Sequence, residues 1–188
     1  MNIIETKIPG LLIIEPKVFN DARGYFFETF HTQKYKDADI DADFIQDNEA
    51  FSGYGVIRGL HYQLAPYSQA KLVRVIKGSV YDVAVDVREG SPTFGEWVGI
   101  ELSETNKLQF FVPRGFAHGY SVISETAIFS YKCDNFYHPQ SERGINFNDK
   151  NLNIDWKIPE QKMIISVKDN VLPTLENADL NFNYGKKI

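Results

Sequence analysis

The sequence predicts an all-β protein, an antiparallel sandwich or barrel with a few short helices, and two observations carry that prediction. Apolar and polar residues alternate with period two through the middle of the chain, and turn residues interrupt the alternation at short intervals. Lys71 to Lys77 reads Lys-Leu-Val-Arg-Val-Ile-Lys and stops at Gly78. Val80 to Val87 follows at once, so the pair reads as two antiparallel strands joined by a tight turn at Gly78-Ser79. Gly90 to Gly95 is a loop, Trp97 to Leu102 a strand and Ser103 to Asn106 a turn. Gln109 to Val112 is a strand stopped by Pro113, and Thr126 to Lys132 is another. Helix is scarce. The best candidate is His31 to Ala38, with a weaker one near Glu142. Thr174 to Ile188 is polar and Asn-rich and reads as a tail that wraps the surface or frays.

At 188 residues and 43% hydrophobic content, the chain can bury one core. No low-complexity linker, charge block or repeat divides it, so residues 1–188 read as a single domain. A formal net charge of −5 and a pI near 5.4 argue against a broad basic face for nucleic acid. They leave room for one small anion held by a few Arg and Lys side chains. The single cysteine, Cys133, has no partner for a disulfide and no cluster for structural zinc. Apolar runs such as Leu11 to Ile14 are too short to span a bilayer, and the N-terminus lacks a basic region followed by a long apolar segment. The expectation is a cytoplasmic protein with no membrane partner.

Strand alternation assigns faces. Asp82 and Asp86 share a face with Ala84, while Tyr81, Val83, Val85 and Val87 share the other. Two acids on an apolar strand ordinarily face water, and this is the preferred reading for Asp86. Asp82, nearer the Gly78 turn, could instead line a polar cavity.

Four segments concentrate reactive side chains. Gly55-Val-Ile-Arg-Gly-Leu-His-Tyr-Gln63 brings Arg58, His61 and Gln63 together, with Lys71 shortly after. A strand histidine taken alone is more often a core or surface residue, but Arg58 offers a fork for phosphate oxygens. Pro113-Arg-Gly-Phe-Ala-His-Gly-Tyr120 places His118 after a tight turn, where an exposed histidine is the ordinary reading. Its Pro-x-Gly-x-x-His spacing resembles the second motif of the cupin superfamily. The His-x-His that supplies metal ligands in that superfamily reads His61-Tyr62-Gln63 here, and a glutamine is a poor transition-metal ligand. The expectation is a cupin-like jelly-roll barrel with no metal. In Tyr131-Lys-Cys-Asp-Asn-Phe-Tyr137, Tyr131 shares a face with Phe129 and Ala127, and a buried phenol needs a partner. Ser166-Val-Lys-Asp169 matters only if the chain returns to set Asp169 against His61.

Taken together, these motifs and their order resemble the dTDP-4-dehydrorhamnose 3,5-epimerase family. Asp21-x-Arg-Gly-x-Phe-x-Glu28, Phe44 to Asn48, Gly55 to Gln63, Gln69-x-Lys-Leu-Val73, Asp82 to Arg88, Ser91 to Gly95, Pro113 to Gly119 and Tyr131-Lys132 carry the resemblance. It implies His61 as proton acceptor, oriented by Asp169, and Tyr131 as proton donor. Lys71 would sit near the C4 carbonyl oxygen and Tyr137 would stack on the thymine. Arg58, Arg23 and Lys168 would contact the diphosphate. Glu28, Gln46, Asp47, Asn48, Gln63, His118 and Glu142 fill the remaining binding positions. The resemblance further implies a homodimer with exchanged N-terminal strands, so Arg23 and Glu28 would serve the partner's site. Phe136 stands where relatives often carry Tyr.

The implied chemistry suits these groups. A ketone at C4 acidifies the hydrogens on C3 and C5, and an imidazole, with an ordinary pKa of about 6.5, can remove them near neutrality. A carboxylate fixes its tautomer, a lysine meets the enolate oxygen and a phenol returns a proton to the opposite face. No step changes oxidation state, which matches the lack of a Gly-x-Gly-x-x-Gly fingerprint and predicts no cofactor. Three competing readings remain: a metal-dependent cupin, an epimerase acting at one carbon of a related 4-keto-deoxysugar, and a non-catalytic nucleotide-sugar binder.

Overall fold

Strands dominate the computed structural model, which describes residues 1–40 and 42–186. The first strands are β1 (Asn2–Glu5), β2 (Leu12–Glu15), β3 (Phe19–Asp21) and β4 (Gly24–Phe26), followed by helix α1 (Thr32–Lys36). The body comprises β5 (Gln46–Gly53), β6 (Val56–Gln63), β7 (Lys71–Lys77), β8 (Ser79–Asp86), β9 (Trp97–Ser103), β10 (Gln109–Val112), β11 (Phe116–Val122) and β12 (Thr126–Cys133). Three short elements complete the fold: β13 (Glu142–Gly144), β14 (Ile164–Ile165) and helix α2 (Val167–Asn170). No helix among the described residues is long and apolar enough to cross a membrane.

One sheet has the order β1-β2-β10-β7-β12-β5 and the other β13-β6-β11-β8-β9, with β14 added in parallel to β6. Strands β5 to β12 thus shuttle between β10-β7-β12-β5 and β6-β11-β8-β9, the strand arrangement of a jelly roll. The sheets pack face to face and do not close on each other, so the fold is an open sandwich rather than a sealed barrel. β3 and β4 form a separate hairpin.

The expected hairpin at Gly78 is a corner instead. β7 pairs with β10 and β12, whereas β8 pairs with β11 and β9. The strands face each other across the core because each presents an apolar row, Val73 and Val75 against Val80 and Ala84. Gly78 turns the corner at φ +76°, and a Cβ there would lie 2.0 Å from the Thr126 carbonyl oxygen. The residues near Glu142 also differ from expectation. They form β13, paired with β6, after a single 3-10 turn at Pro139–Ser141. Helix α1 falls inside the predicted span, with His31 as its N-cap. The predicted tail packs Leu175, Leu180 and Phe182 onto the outside of the β8 sheet, and Lys187 and Ile188 lie outside the described residues.

Three apolar clusters hold the sandwich. The inner one joins Val73, Phe110, Phe129, Ala84, Val122 and neighbours between the sheets. A second covers the back of the β8 sheet with Val83, Val85 and Val87 against Ile145, Trp156 and Phe182. A third packs Tyr35 and Ile40 onto Leu72 and Phe111. Burying these side chains contributes roughly 25 cal/mol per Å² of apolar surface.

Asp86 does not face water. It is fully buried and bonded to the Arg88 guanidinium at 2.7 Å and to the Ser91 and Thr93 hydroxyls at 2.6 and 2.7 Å. The loop after β8 folds back to supply these donors, a closure that strand alternation cannot show.

Candidate active site

The two sheets splay around a cavity of about 500 Å³ lined by Arg58, His61, Lys71, His118, Tyr120, Phe129, Tyr131 and Asp169. A smaller adjoining cavity of about 250 Å³ shares His61, Lys71 and Tyr131 with it and adds Gln46, Asn48, Gln63, Tyr137 and Glu142. His61 stands on β6 of one sheet. Lys71 on β7 and Tyr131 on β12 belong to the other. The basic imidazole and the phenol therefore project from facing walls.

Arg58 and His61 are three residues apart, a spacing that would put them on opposite faces of a regular strand. A bulge resolves this. His61 pairs with His118 and Arg58 with Tyr120, so three steps on β6 match two on β11. Gly59, at φ +124°, permits it, since a Cβ there would lie 2.5 Å from the Gly119 Cα.

Asp169 reaches the site from α2. Ser166 caps that helix, accepting from the Asp169 N–H at 3.0 Å. His61 Nε2 lies 2.7 Å from Asp169 Oδ1. An ionised carboxylate only accepts, so the proton resides on Nε2 and Nδ1 keeps the basic lone pair. Burial pushes the Asp169 carboxyl up, but His61, the Gly59 N–H and Ser166 outweigh it and hold it below its ordinary value.

Tyr131 and Lys71 are half-buried. Burial raises the Tyr131 phenol, and Arg58 partly opposes it. Burial lowers the Lys71 ammonium, opposed by Cys133, Asp82 and Glu142. His118 is buried, contrary to its ordinary reading, and bonds through Nε2 to Asp82 Oδ1 at 2.8 Å. Asp82 is fully buried against His118 and lines neither cavity itself. Cys133 is a buried free thiol, pushed up to about 11 chiefly by burial.

At the mouth, Glu142 accepts from the Tyr137 hydroxyl at 2.7 Å and the Lys168 ammonium at 2.5 Å. These contacts outweigh the upward push of burial and hold the Glu142 carboxyl low. Gln63 lines the smaller cavity, but its amide is engaged by the chain itself. It donates to the Tyr67 and Phe136 carbonyls and accepts from the His138 N–H. Its role is to fix the loop that presents Tyr137. Gln46 shares that task, accepting from the Tyr137 N–H.

Three predicted residues lie elsewhere within one chain. Asp47 points away from Gln46 and Asn48, as strand alternation requires, and pairs with Lys132 at 2.8 Å. Arg23 pairs with Asp21 on the β3–β4 hairpin, and Glu28 pairs with Lys34. Sequence reasoning missed Tyr120, although it stands two residues from His118 and so shares its face. It also missed Phe129 as a pocket wall, and Ser166, whose Ser-x-x-Asp spacing is a readable cap. Among the described residues, no three His, Cys, Asp or Glu side chains converge as a metal-ligand set.

Fold and site together define a cupin-like jelly-roll enzyme whose pocket is furnished for acid–base chemistry. The chain belongs to the dTDP-4-dehydrorhamnose 3,5-epimerase family, whose model matches residues 5–177. It is thus placed among epimerases, a class of isomerase. A dTDP-4-dehydrorhamnose 3,5-epimerase of Shigella flexneri is 54% identical over 170 residues, covering 90% of this chain and 93% of the relative. That of Escherichia coli K12 is 48% identical over 178 residues, covering 94% and 95%. The crystal structure of the Elizabethkingia anophelis enzyme superposes with a TM-score of 0.91 at 54% identity, covering 94% of this chain and 97% of that one. A Legionella pneumophila dTDP-6-deoxy-D-glucose-3,5-epimerase, solved with dTDP-4-keto-L-rhamnose, gives 0.94 at 49% identity, covering 98% and 99%.

Proposed function

We propose that this chain converts dTDP-4-dehydro-6-deoxy-D-glucose to dTDP-4-dehydro-L-rhamnose by inverting C3 and C5 in turn. His61 Nδ1 takes the carbon-bound proton, and the electron pair moves onto the C4 oxygen as an enolate. Lys71 meets that charge. The Tyr131 hydroxyl returns a proton to the opposite face of the ring, the carbonyl re-forms, and exchange with solvent restores the neutral imidazole and phenol before the second inversion. The observation that carries this reading is the placement of His61 with Asp169 on one wall and Tyr131 with Lys71 on the other wall of one cavity. Base and acid on opposite sides of a ring produce inversion rather than return.

In this reading the smaller cavity, with Tyr137 and Glu142 at its rim, takes the nucleotide, and Arg58 and Lys168 meet the diphosphate. The enzyme works in the cytoplasm as a homodimer. Support for the dimer is the exposed β3–β4 hairpin, where Phe26 is 67% exposed, and Phe51, 65% exposed on edge strand β5. A second copy laid along β5 would bring Arg23 and Glu28 toward its partner's site.

Proton NMR in heavy water tests the reaction. Incubation with dTDP-4-keto-6-deoxyglucose should incorporate deuterium at both C3 and C5 and yield the inverted sugar. Deuterium at one carbon only would make the chain a single-carbon epimerase, and none at either carbon would leave a binding module.

A further inference from the structure

The wall of the larger cavity carries a hydroxyl that the proposed reaction does not use. Tyr120 lines that cavity from β11 and is 5% exposed. Its ring stacks on Phe129 with centroids 4.1 Å apart and planes 23° from parallel, which holds the ring in place. Its hydroxyl is buried and makes no hydrogen bond. Ser52 Oγ on β5 is close enough to pull on the phenol but stands outside bonding geometry, and it accepts instead from Arg58 Nε at 3.1 Å. A buried phenol ordinarily has a partner, and a buried donor without one destabilises the fold.

The register of β11 against β6 indicates what the partner is. His118 pairs with His61, and two residues further on Tyr120 pairs with Arg58. One step along the same face therefore leads from the base to the guanidinium. Arg58 is exposed at the cavity. With Nε on Ser52, its terminal nitrogens are unpaired among the described residues. An open guanidinium fork beside an unanswered hydroxyl fits a phosphate, which offers oxygens to both. Burial pushes the Tyr120 phenol up to about 12, against the pull of Arg58 and Ser52, so it stays an O–H donor at neutral pH. Such a donor meets an anion without adding a charge of its own.

We propose that Tyr120 is a specificity-determining residue of the substrate site: its hydroxyl donates to an oxygen of the diphosphate that Arg58 meets. The inference rests on the nucleotide-sugar reading of the cavity and deepens it by one contact. A ligand with no acceptor at that point leaves the donor unanswered and binds more weakly. The free protein bears a second consequence. The hydroxyl strengthens binding but adds nothing to the fold before the ligand arrives, so removing it leaves the unliganded protein as stable or more so. A hydroxyl bonded within the fold behaves in the opposite way.

Tyr120→Phe tests both consequences, because it keeps the ring and its stack on Phe129 and removes only the oxygen. Titration calorimetry with dTDP should show affinity about tenfold weaker in the variant than in wild type. kcat/KM for the nucleotide sugar should fall by a similar factor. The unliganded variant should melt at the wild-type temperature or above it. Unchanged dTDP affinity overturns the proposal. If kcat/KM falls while dTDP affinity holds, the partner is on the sugar, which overturns the phosphate assignment as well. A Tm several degrees lower in the unliganded variant also overturns it, since the oxygen would then be bonded within the fold. A wild-type enzyme that binds dTDP but leaves C3 and C5 unlabelled in heavy water removes the epimerase reading alone, because the dTDP titration needs no turnover.

Discussion

Replacing Asp169 by Asn isolates what the carboxylate does for His61. The shape of the side chain is kept, and Ser166 still caps α2 through the backbone N–H. What changes is the contact at 2.7 Å between Asp169 Oδ1 and His61 Nε2. Hydrogen bonds to charged groups contribute about 1.5–3 kcal/mol, against about 1 for a neutral pair. Losing the charge that stabilises the imidazolium therefore costs about tenfold or more in rate. A second loss adds to this. The new amide can donate to Nε2, which moves the ring proton to Nδ1, the nitrogen that must be free to accept from carbon. In a catalytic triad the equivalent change costs on the order of 10⁴ in kcat. We expect kcat to fall about 10³-fold with KM within about threefold, read by deuterium incorporation at C3 and C5. Stability should change in a pH-dependent way. The Asp169 carboxyl is held below its ordinary value, so its stabilising contribution is present above about pH 4 and lost as pH falls through the folded value. The gap in Tm between wild type and variant should accordingly be constant near neutrality and close in acid. A variant within about threefold of wild-type kcat would refute the dyad.

Three further outcomes are expected. Tyr131→Phe should retain exchange of the abstracted proton while inversion falls about 100-fold; equal losses in both would remove the donor role. Gly59→Ala should destabilise by about 2 kcal/mol or more in urea unfolding, because a side chain at φ +124° meets the Gly119 Cα at 2.5 Å; unchanged stability would mean the bulge is soft. Asp86→Asn should cost about 2–4 kcal/mol by leaving Arg88 unpaired, yet leave kcat per folded molecule unchanged. The Asp86 carboxyl is raised by burial but held low on balance by Arg88, Ser91 and Thr93, so this contribution too is lost only as pH falls below the ordinary carboxylate range.

Strand alternation made much of the site legible. Period two assigned Tyr131 to an inward face with Ala127 and Phe129, and the buried row Ala127, Phe129 agrees. It also separated Val83, Val85 and Val87 from Asp82 and Asp86, the split that the two sides of β8 show. What it missed has common physical causes. Alternation gives the faces of a strand but not its neighbour, so Gly78 looked like a hairpin although β7 and β8 lie in different sheets. A bulge leaves no signature in hydropathy, so the shared face of Arg58 and His61 required the pairing with β11. Asp169 reaches His61 across 108 residues of sequence, and no local pattern encodes that return. Its assignment came from resemblance alone. Arg23 and Glu28 lie outside the pocket, paired with Asp21 and Lys34, so their place in a site rests on the proposed second copy.

The inner face of β8 shows why residue type alone does not announce function. Asp82 and Asp86 lie on the same side of one strand, four residues apart, and both are fully buried. Asp86 is met by five donors from Arg88, Ser91 and Thr93, all supplied by the loop that follows it. Every lone pair it can use is answered locally, which makes it a clasp for that loop. Asp82 meets only the His118 ring, and its second oxygen is left without a donor. A protein under selection for stability alone would replace such a group with an apolar side chain, since removing an imperfectly satisfied buried charge is often neutral or favourable. The satisfied acid clasps a loop, and the other anchors a histidine of the cavity wall.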